Sequence, residues 1–292
     1  HISVMSDGFL IVNKSSGPTS HDVVAQARKK LQTKKIGHAG TLDPMATGVL
    51  VLGVGIGTRL LNLIVEGKKS YEATIYLGSS TTTDDKEGEL LKKYSTSEID
   101  EIAIKSALAN FKGKIMQRPS SVSAIKISGK AAHQRVREGE TVEIPPREVE
   151  IYRLEVKEIR KFVDFIEVDV EVQCSSGTYI RSIARDLGEV LNCGGHLTKL
   201  NRTEVAPFTI KESKEIESAN LISIADGVSR ILPTRTLTLE EEREIYYGRP
   251  ITSSESELTA AFRPNGEFAA LLTNKEQSGK LLSFPSLVNV KE

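Results

Sequence analysis

The chain has 292 residues, 39% of them hydrophobic and 27% charged, and its 39 Lys and Arg residues balance its 39 Asp and Glu residues. This composition is typical of a globular protein with one large and one small domain. The longest apolar run, VLVLGVGIG, falls well short of the roughly 18 residues that a membrane-spanning helix needs. Since no secretory signal is visible either, we expect a cytoplasmic protein without a membrane partner.

The charges are unevenly distributed along the chain. Residues 1–70 carry 9 Lys and Arg against 4 Asp and Glu, and residues 111–147 carry 8 against 3, whereas residues 71–110 carry 4 against 8. Two basic blocks around an acidic one suit a polyanion that touches selected faces, although an ordinary solvated surface explains the pattern equally well. The cysteines and histidines form no ligand cluster, so we expect reduced thiols and no metal.

Hydrophobic periodicity predicts most of the regular elements. Apolar residues three or four positions apart predict helices, and alternation predicts strands with one buried face. In chain order these patterns predict a strand over 8–17, a helix over 20–32, a buried strand over 49–57, a short helix over 57–67, a strand over 70–81, a loop over 81–93, a helix over 98–111, paired strands over 149–159 and 162–177, and a helix over 178–195.

The remaining segments complete the expected architecture. Residues 113–147 are basic and interrupted by Gly and Pro, so we expect a projecting insertion there. A polar region follows residue 195, and a small β-rich tail follows it, with a hairpin that turns at Asn265-Gly266. Strands and helices alternate without a regular βαβ rhythm, which favours an α+β (mixed α/β) fold over a doubly wound parallel sheet.

Residues 36–50, IGHAGTLDPMATGVL, hold a single carboxylate, Asp43, among small and aliphatic residues. Glycines allow tight or left-handed backbone and Pro44 fixes φ, so this run predicts a shaped loop. A carboxylate on such a loop, just before a buried strand, is a candidate reactive group. An ordinary turn aspartate is the other explanation, and from this run alone it is the more common one.

Four ordered motifs carry a resemblance to a known family. GHAGTLDPMATGVL, KSYEATIYLG, SGTYIRSIARDLG and HLTKLNRTEVAPF closely resemble the bacterial tRNA pseudouridine-55 synthases, the TruB family, with similar spacing from Phe9 to about Phe208. The resemblance implies a pseudouridine synthase fold with a central mixed, mainly antiparallel sheet in a catalytic domain over 5–237. It also implies a thumb insertion over 113–147 and a small PUA-like RNA-binding domain over 238–292.

The resemblance further implies a cofactor-free and metal-free isomerase that acts on the T-stem-loop of tRNA as a monomer without a guide RNA. Asp43 matches the family's nucleophile, which attacks either the sugar C1′ or the base C6. Arg181 matches the arginine that opposes the effect of burial on that carboxylate. Tyr71 matches the aromatic that stacks on the flipped base, and Tyr179 matches a pocket tyrosine that accepts or relays a proton.

Five further residues are predicted to bind the RNA. Leu200 resembles an aliphatic residue that lines the pocket, and His38 resembles a residue that contacts the T-loop; the alternative is that His38 stabilises the Asp43 loop. Lys14 stands at the end of the first predicted strand. Lys126 and Lys130, in the thumb insertion, would contact phosphates and make the affinity for RNA depend on salt.

The sequence departs from the family at several positions and leaves other function classes open. The family has proline where Ser15 and Ser120 stand, aspartate at Asn13, and tyrosines near Val122 and His133, so the stiffness and RNA contacts of the thumb cannot be carried over. The main alternative is a non-catalytic tRNA-binding or tRNA-folding protein on the same scaffold. A guide-dependent synthase resembling dyskerin and a glycosidase, which needs two placed carboxylates, are weaker alternatives.

Overall fold

The computed structural model describes residues 6–120, 126–127, 130–131 and 144–290. Its strands are β1 (Gly8–Lys14), β2 (Ile36–His38), β3 (Thr47–Val54), β4 (Lys69–Leu77), β5 (Ser79–Thr81), β6 (Leu90–Lys93), β7 (Gly113–Gln117), β8 (Lys126–Ile127), β9 (Lys130–Ala131), β10 (Arg147–Lys161), β11 (Ile166–Cys174), β12 (Gly195–Val205), β13 (Phe208–Thr209), β14 (Thr234–Thr236), β15 (Ile251–Thr252), β16 (Leu258–Phe262), β17 (Phe268–Gln277) and β18 (Lys280–Val288). Its α-helices are α1 (Ser20–Leu31), α2 (Leu61–Val65), α3 (Glu101–Ala109), α4 (Ile180–Val190), α5 (Ile224–Ser229) and α6 (Leu239–Tyr246).

A nine-stranded sheet forms the larger part of the molecule. Its main path runs in the order β1-β3-β12-β4-β11-β10-β7, with β2 paired to β3 and β13 to β12. All these pairs are antiparallel except β3 with β12, which is parallel. The predicted α+β class with a mixed, mainly antiparallel sheet is therefore confirmed.

Burial alternates along β11, an inner strand of this sheet. Its residues are buried at every second position from Ile166 to Cys174, so one face packs into the hydrophobic core beneath α1, α3 and α4. The other face is half-buried and carries charged residues such as Asp169 and Glu171. The predicted pairing of 149–159 with 162–177 is confirmed by the antiparallel register of β10 with β11.

The sequence predicts a polar region after residue 195 and no strand there, whereas the structure has β12, which runs between β3 and β4 in the middle of the sheet. The pairing of β12 with β4 is interrupted by two bulges, one between Leu197 and Lys199 and one between Arg202 and Glu204. These bulges break the simple alternation on which the sequence argument relied. The expected loop over 81–93 also contains a strand, β6, which pairs with β5.

The tail forms a second sheet in the order β14-β16-β17-β18-β15. The predicted hairpin is confirmed, since β16 and β17 pair antiparallel around Gly266, whose φ of +87° belongs to the left-handed region. The first strand of this sheet begins at Thr234, shortly before the predicted boundary at 238. Residues of both sheets share one hydrophobic cluster, in which Phe9 and Val49 join Phe262 and Leu271.

The thumb insertion predicted over 113–147 is described only in part. Its ends lie in β7 and β10, which pair with each other, and Lys126 and Lys130 lie in the short β8–β9 pair. The side chains of these two lysines lie outside the described residues, as do Val122 and His133. In the described part of the chain, no helix is long and apolar enough to cross a membrane, and no group of three His, Cys, Asp or Glu side chains is placed to hold a metal ion.

Candidate active site

Asp43 lies on the loop between β2 and β3, at the end of the sheet where β12 meets β3. The backbone N–H of Leu42 donates to the Ser20 hydroxyl at 2.9 Å, and that hydroxyl donates to the Leu42 carbonyl at 3.1 Å. A turn is closed by the N–H of Ala46, which donates to the carbonyl of Asp43 at 2.9 Å. The loop is therefore fixed through its backbone on both sides of the carboxylate.

Gly48 explains how closely the loop can approach the neighbouring strand. Its φ is +109°, and a Cβ at this position would lie 2.2 Å from the carbonyl oxygen of Arg202. Only glycine fits both the left-handed backbone and the close contact. This position brings the Asp43 loop against β12, which carries Leu200 and Arg202.

Arg181 forms an ion pair with Asp43. Its Nε lies 3.0 Å from Oδ2 and its Nη2 lies 3.5 Å from Oδ1, so the guanidinium approaches both carboxylate oxygens. Nη1 donates to the carbonyl of Thr83 and to the hydroxyl of Ser120, each at 3.3 Å. The arginine is buried, whereas 29% of the Asp43 side chain is exposed. The carboxylate is thus oriented by a charged partner and still faces solvent.

A cavity of about 270 Å³ opens beside this pair. The four residues predicted to be catalytic, Asp43, Tyr71, Tyr179 and Arg181, all line it, and Leu200 lines it too. They come from four separated segments of the chain. The structure therefore brings together the predicted catalytic set and one of the predicted RNA-binding residues.

Tyr71 enters the cavity from β4, where it lies opposite Arg202 of β12. Burial raises the pKa of the Tyr71 hydroxyl to about 12, and the neighbouring positive charge of Arg202 only partly opposes this rise. The hydroxyl therefore stays protonated at neutral pH. Tyr71 presents a neutral aromatic ring to the cavity.

Tyr179 is the residue that immediately precedes α4. Gly177, with a φ of +79°, turns the chain from β11 toward the helix. The backbone N–H of Tyr179 donates to Oε1 of Gln117 at 2.8 Å, and its carbonyl accepts from Nε2 of the same side chain at 3.0 Å. The start of α4, which also carries Arg181, is thereby attached to the end of β7.

Arg202 is a site residue that the sequence argument did not identify. It is only 2% exposed, and its guanidinium donates to the carbonyls of Val49 at 2.9 Å, Thr41 at 3.3 Å and Gly40 at 3.3 Å. It therefore ties β12 to the chain on both sides of Asp43. The motif HLTKLNRTEVAPF contains this arginine, but nothing in the motif indicates which backbone groups it would reach.

Lys14 is predicted to bind RNA, but its ammonium group uses its three N–H donors on backbone carbonyls of the protein. Its ammonium group donates to the carbonyls of Ser15 at 2.8 Å, Pro18 at 2.9 Å and Pro44 at 3.2 Å. Burial is the main cause that lowers the pKa of Lys14 to about 8. Because Pro44 follows Asp43 directly, Lys14 holds the loop of the carboxylate.

His38 lies at the end of β2, behind the Asp43 loop, and does not line the cavity. Its ring meets the edge of His21, with the ring centroids 6.2 Å apart. Among the described residues, none forms a hydrogen bond with its buried Nδ1. Burial lowers the pKa of His38, which favours the neutral ring. Its contact with RNA stays a prediction.

Comparison with models of protein families shows to which family the chain belongs. Residues 28–180 match the model of the TruB family pseudouridylate synthase (N terminal domain), and residues 181–228 match that of the tRNA pseudouridylate synthase B C-terminal domain. The chain belongs to the TruB family. All the residues that line the cavity fall within these two matched ranges.

Full-length relatives support the TruB assignment. The chain is 49% identical over 288 residues to the tRNA pseudouridine synthase B of Corynebacterium diphtheriae, covering 96% of this chain and 95% of that protein. It is 46% identical over 286 residues to the protein of that name from Thermobifida fusca, covering 94% of this chain and 97% of that protein.

Solved structures share the fold at lower sequence identity. An H/ACA RNP bound to a substrate RNA containing 2′-deoxyuridine includes a chain that superposes with a TM-score of 0.70 at 21% identity, covering 97% of this TruB-family chain and 85% of that chain. A chain of a Cbf5-Nop10-Gar1 complex superposes with a TM-score of 0.69 at 24% identity, covering 98% and 84% respectively. These similarities establish the fold of the whole described chain.

Proposed function

We propose that this protein is a tRNA pseudouridine synthase that isomerises the uridine at position 55, in the T-loop of tRNA. The observation that carries the proposal is the cavity in which Asp43, oriented by Arg181, faces Tyr71, Tyr179 and Leu200. The names of the full-length relatives, tRNA pseudouridine synthase B, support the same reaction and the same class of RNA.

Asp43 acts as the nucleophile. The isomerisation breaks the bond between N1 of the uracil and C1′ of the ribose, and joins C5 to C1′. C5 loses a proton and N1 gains one, so the reaction needs neither a redox step nor an external group. A covalent bond from the carboxylate to C1′ or to C6 divides this exchange into easier steps. Both positions of attack are compatible with a partly exposed carboxylate held by one guanidinium.

The two tyrosines take different roles. A uridine in a folded loop must leave its stack to reach Asp43, and Tyr71 supplies a ring on which the flipped base stacks. Such stacking is worth about 1–3 kcal/mol. The hydroxyl of Tyr71 stays protonated because its pKa is about 12. Tyr179, which lines the same cavity from the start of α4, is the candidate for the general base that removes the proton from C5.

The surface outside the cavity holds the rest of the tRNA. Lysines of the thumb insertion, Lys126 and Lys130 among them, contact phosphates, and the segment 238–292 forms a second RNA-binding unit. The enzyme acts in the cytoplasm as a monomer, with neither a guide RNA nor a cofactor. The excess of positive charge in residues 111–147, with 8 Lys and Arg against 3 Asp and Glu, supports phosphate contacts by the thumb insertion.

Tritium release tests the proposal. A tRNA transcript labelled at C5 of uridine releases tritium when C5 bonds to C1′. We expect release at the T-loop uridine by the wild type and none by Asp43→Asn, with similar tRNA affinity for both proteins. Equal release by both would refute the role of Asp43. Tight binding of tRNA without release by the wild type would instead support the non-catalytic tRNA-binding alternative.

A further inference from the structure

The chain enters and leaves the thumb insertion beside the start of α4. Gln117 is the last residue of β7 and lies opposite Arg147, the first residue of β10. Residues 117–120, which we call the stalk, follow α4 along its first turns. The carbonyl of Arg118 accepts from Nη2 of Arg185 at 2.6 Å.

The stalk also reaches two residues that line the cavity, Tyr179 just before α4 and Arg181 in its first turn. Gln117 holds the backbone of Tyr179, and the hydroxyl of Ser120 accepts from Nη1 of Arg181 at 3.3 Å. The base of a proposed RNA-binding insertion and the proposed catalytic groups are thus joined by direct hydrogen bonds. A shift of the stalk relative to α4 must stretch these bonds.

The contact between Gln117 and Tyr179 has a special chemical requirement. Gln117 is 2% exposed, and its amide accepts one hydrogen bond and donates one to the two backbone groups of a single residue. A planar amide satisfies both at once, as a neighbouring strand would. Apolar side chains of the same length fill the space but satisfy neither group.

We infer that Gln117 is a positioning residue for Tyr179, and that it aligns the reacting pocket with the base of the thumb insertion. The inference rests on the proposed function, since it takes Tyr179 as the proton acceptor. Two hydrogen bonds from Gln117 hold the backbone from which the Tyr179 side chain projects, beside those that its carbonyl accepts from the N–H groups of Ser182 and Ile183. Their loss displaces the tyrosine relative to Asp43, which slows the chemical step and leaves the capture of tRNA unchanged.

The test compares two substitutions at Gln117. Gln117→Met preserves the length of the side chain and removes both hydrogen bonds. Gln117→Glu preserves its shape, but the ionised carboxylate can only accept. Once protonated, it accepts from the N–H and donates to the carbonyl of Tyr179, which restores the original pair. Exposed Gln26 on α1 provides the matched control, Gln26→Glu, which adds the same charge elsewhere.

Two measurements are made on each variant: the single-turnover rate of tritium release from bound tRNA, and the dissociation constant for tRNA. For Gln117→Met we expect the rate to fall roughly tenfold or more, because small displacements of a reacting group are costly, and the dissociation constant to change less than about twofold. A rate equal to that of the wild type would overturn the inference. So would a loss of affinity as large as the loss of rate, since that would indicate a role in RNA binding alone.

The pH profile separates positioning from simple packing. Burial raises the pKa of a carboxyl at position 117, while the nearby cations Arg118, Arg147 and Arg181 oppose this rise. We expect the rate of Gln117→Glu relative to the wild type to increase as the pH falls from about 8.5 to about 6, and that of Gln26→Glu to stay level.

A flat profile for Gln117→Glu would overturn the inference, and this profile is measured within one folded variant even if Gln117→Met fails to fold. Failure of the proposed function looks different. In that case the wild type itself releases no tritium at any pH.

Discussion

Replacement of Arg202 tests whether the Asp43 loop is held from β12. In Arg202→Met a flexible apolar chain of similar length takes the place of the guanidinium. Three carbonyls, those of Gly40, Thr41 and Val49, then lose a charged donor inside the protein. Two of them precede Asp43 by no more than three residues, so the substitution acts on the backbone of the proposed nucleophile without touching its side chain.

Two opposing free energies set the size of the effect. A buried carbonyl left without a donor costs about 1–3 kcal/mol. The bond to Val49 is buried, whereas those to Gly40 and Thr41 are partly buried, so about 3–9 kcal/mol is an upper limit for the three carbonyls. Arg202 is only 2% exposed, and its removal also abolishes the penalty of several kcal/mol for burying a charge, which opposes the loss of stability. We expect a net loss of about 2–4 kcal/mol in the free energy of unfolding. Arg202→Lys, whose ammonium reaches fewer of the three carbonyls, should lose about 1–3 kcal/mol.

Urea unfolding measures the stability, and single-turnover tritium release measures the consequence for the site. A displacement of the loop by about 1 Å should slow the reaction roughly 100-fold in Arg202→Met. Arg153→Met is the control, because Arg153 is half-exposed on the charged face of the sheet and forms only long ion pairs, with Glu171 at 3.5 Å and Glu155 at 3.7 Å. If Arg202→Met were as stable and as fast as Arg153→Met, the proposed attachment would be refuted.

Two further predictions concern the base and the RNA backbone. Tyr71→Phe keeps the ring, so it should lose much less single-turnover activity than Tyr71→Leu, which loses about 1–3 kcal/mol of stacking; equal losses in the two variants would contradict stacking. Replacement of both Lys126 and Lys130 with alanine should weaken tRNA binding and reduce the slope of log K against log salt concentration by about 1 to 2; an unchanged slope would exclude phosphate contacts by these lysines.

The sequence allowed good predictions where local chemistry decides the structure. The paired strands β10 and β11 followed from alternation, and the hairpin at Gly266 followed from its Asn-Gly turn. The strand β12 was missed because one of its faces is polar and two bulges shift its register. A period-2 pattern is lost wherever an extra residue enters a strand.

The site was predicted only as far as family motifs reach. Asp43, Tyr71, Tyr179 and Arg181 were identified by resemblance, and the cavity brings them together. Arg202 and Gln117 were not identified, because each acts through hydrogen bonds to backbone groups of distant segments. Backbone groups are the same in every residue, so the partner's sequence contains no signal for such contacts.

The loop around Asp43 could not be interpreted from its own sequence, because contacts with its backbone leave no signal there. Its neighbours hold it by the backbone: Lys14 and the N–H of Gly17 both donate to the carbonyl of Pro44, Arg202 donates to carbonyls before Asp43, and Ser20 bonds both backbone groups of Leu42. A turn aspartate would need none of these attachments, since a turn satisfies its own backbone. A reacting carboxylate must be held to within about half an ångström, and a loop reaches that precision only when the surrounding elements fix its backbone. The number and the distant origin of these attachments, rather than the residue type, are what distinguish the proposed nucleophile from an ordinary turn residue here.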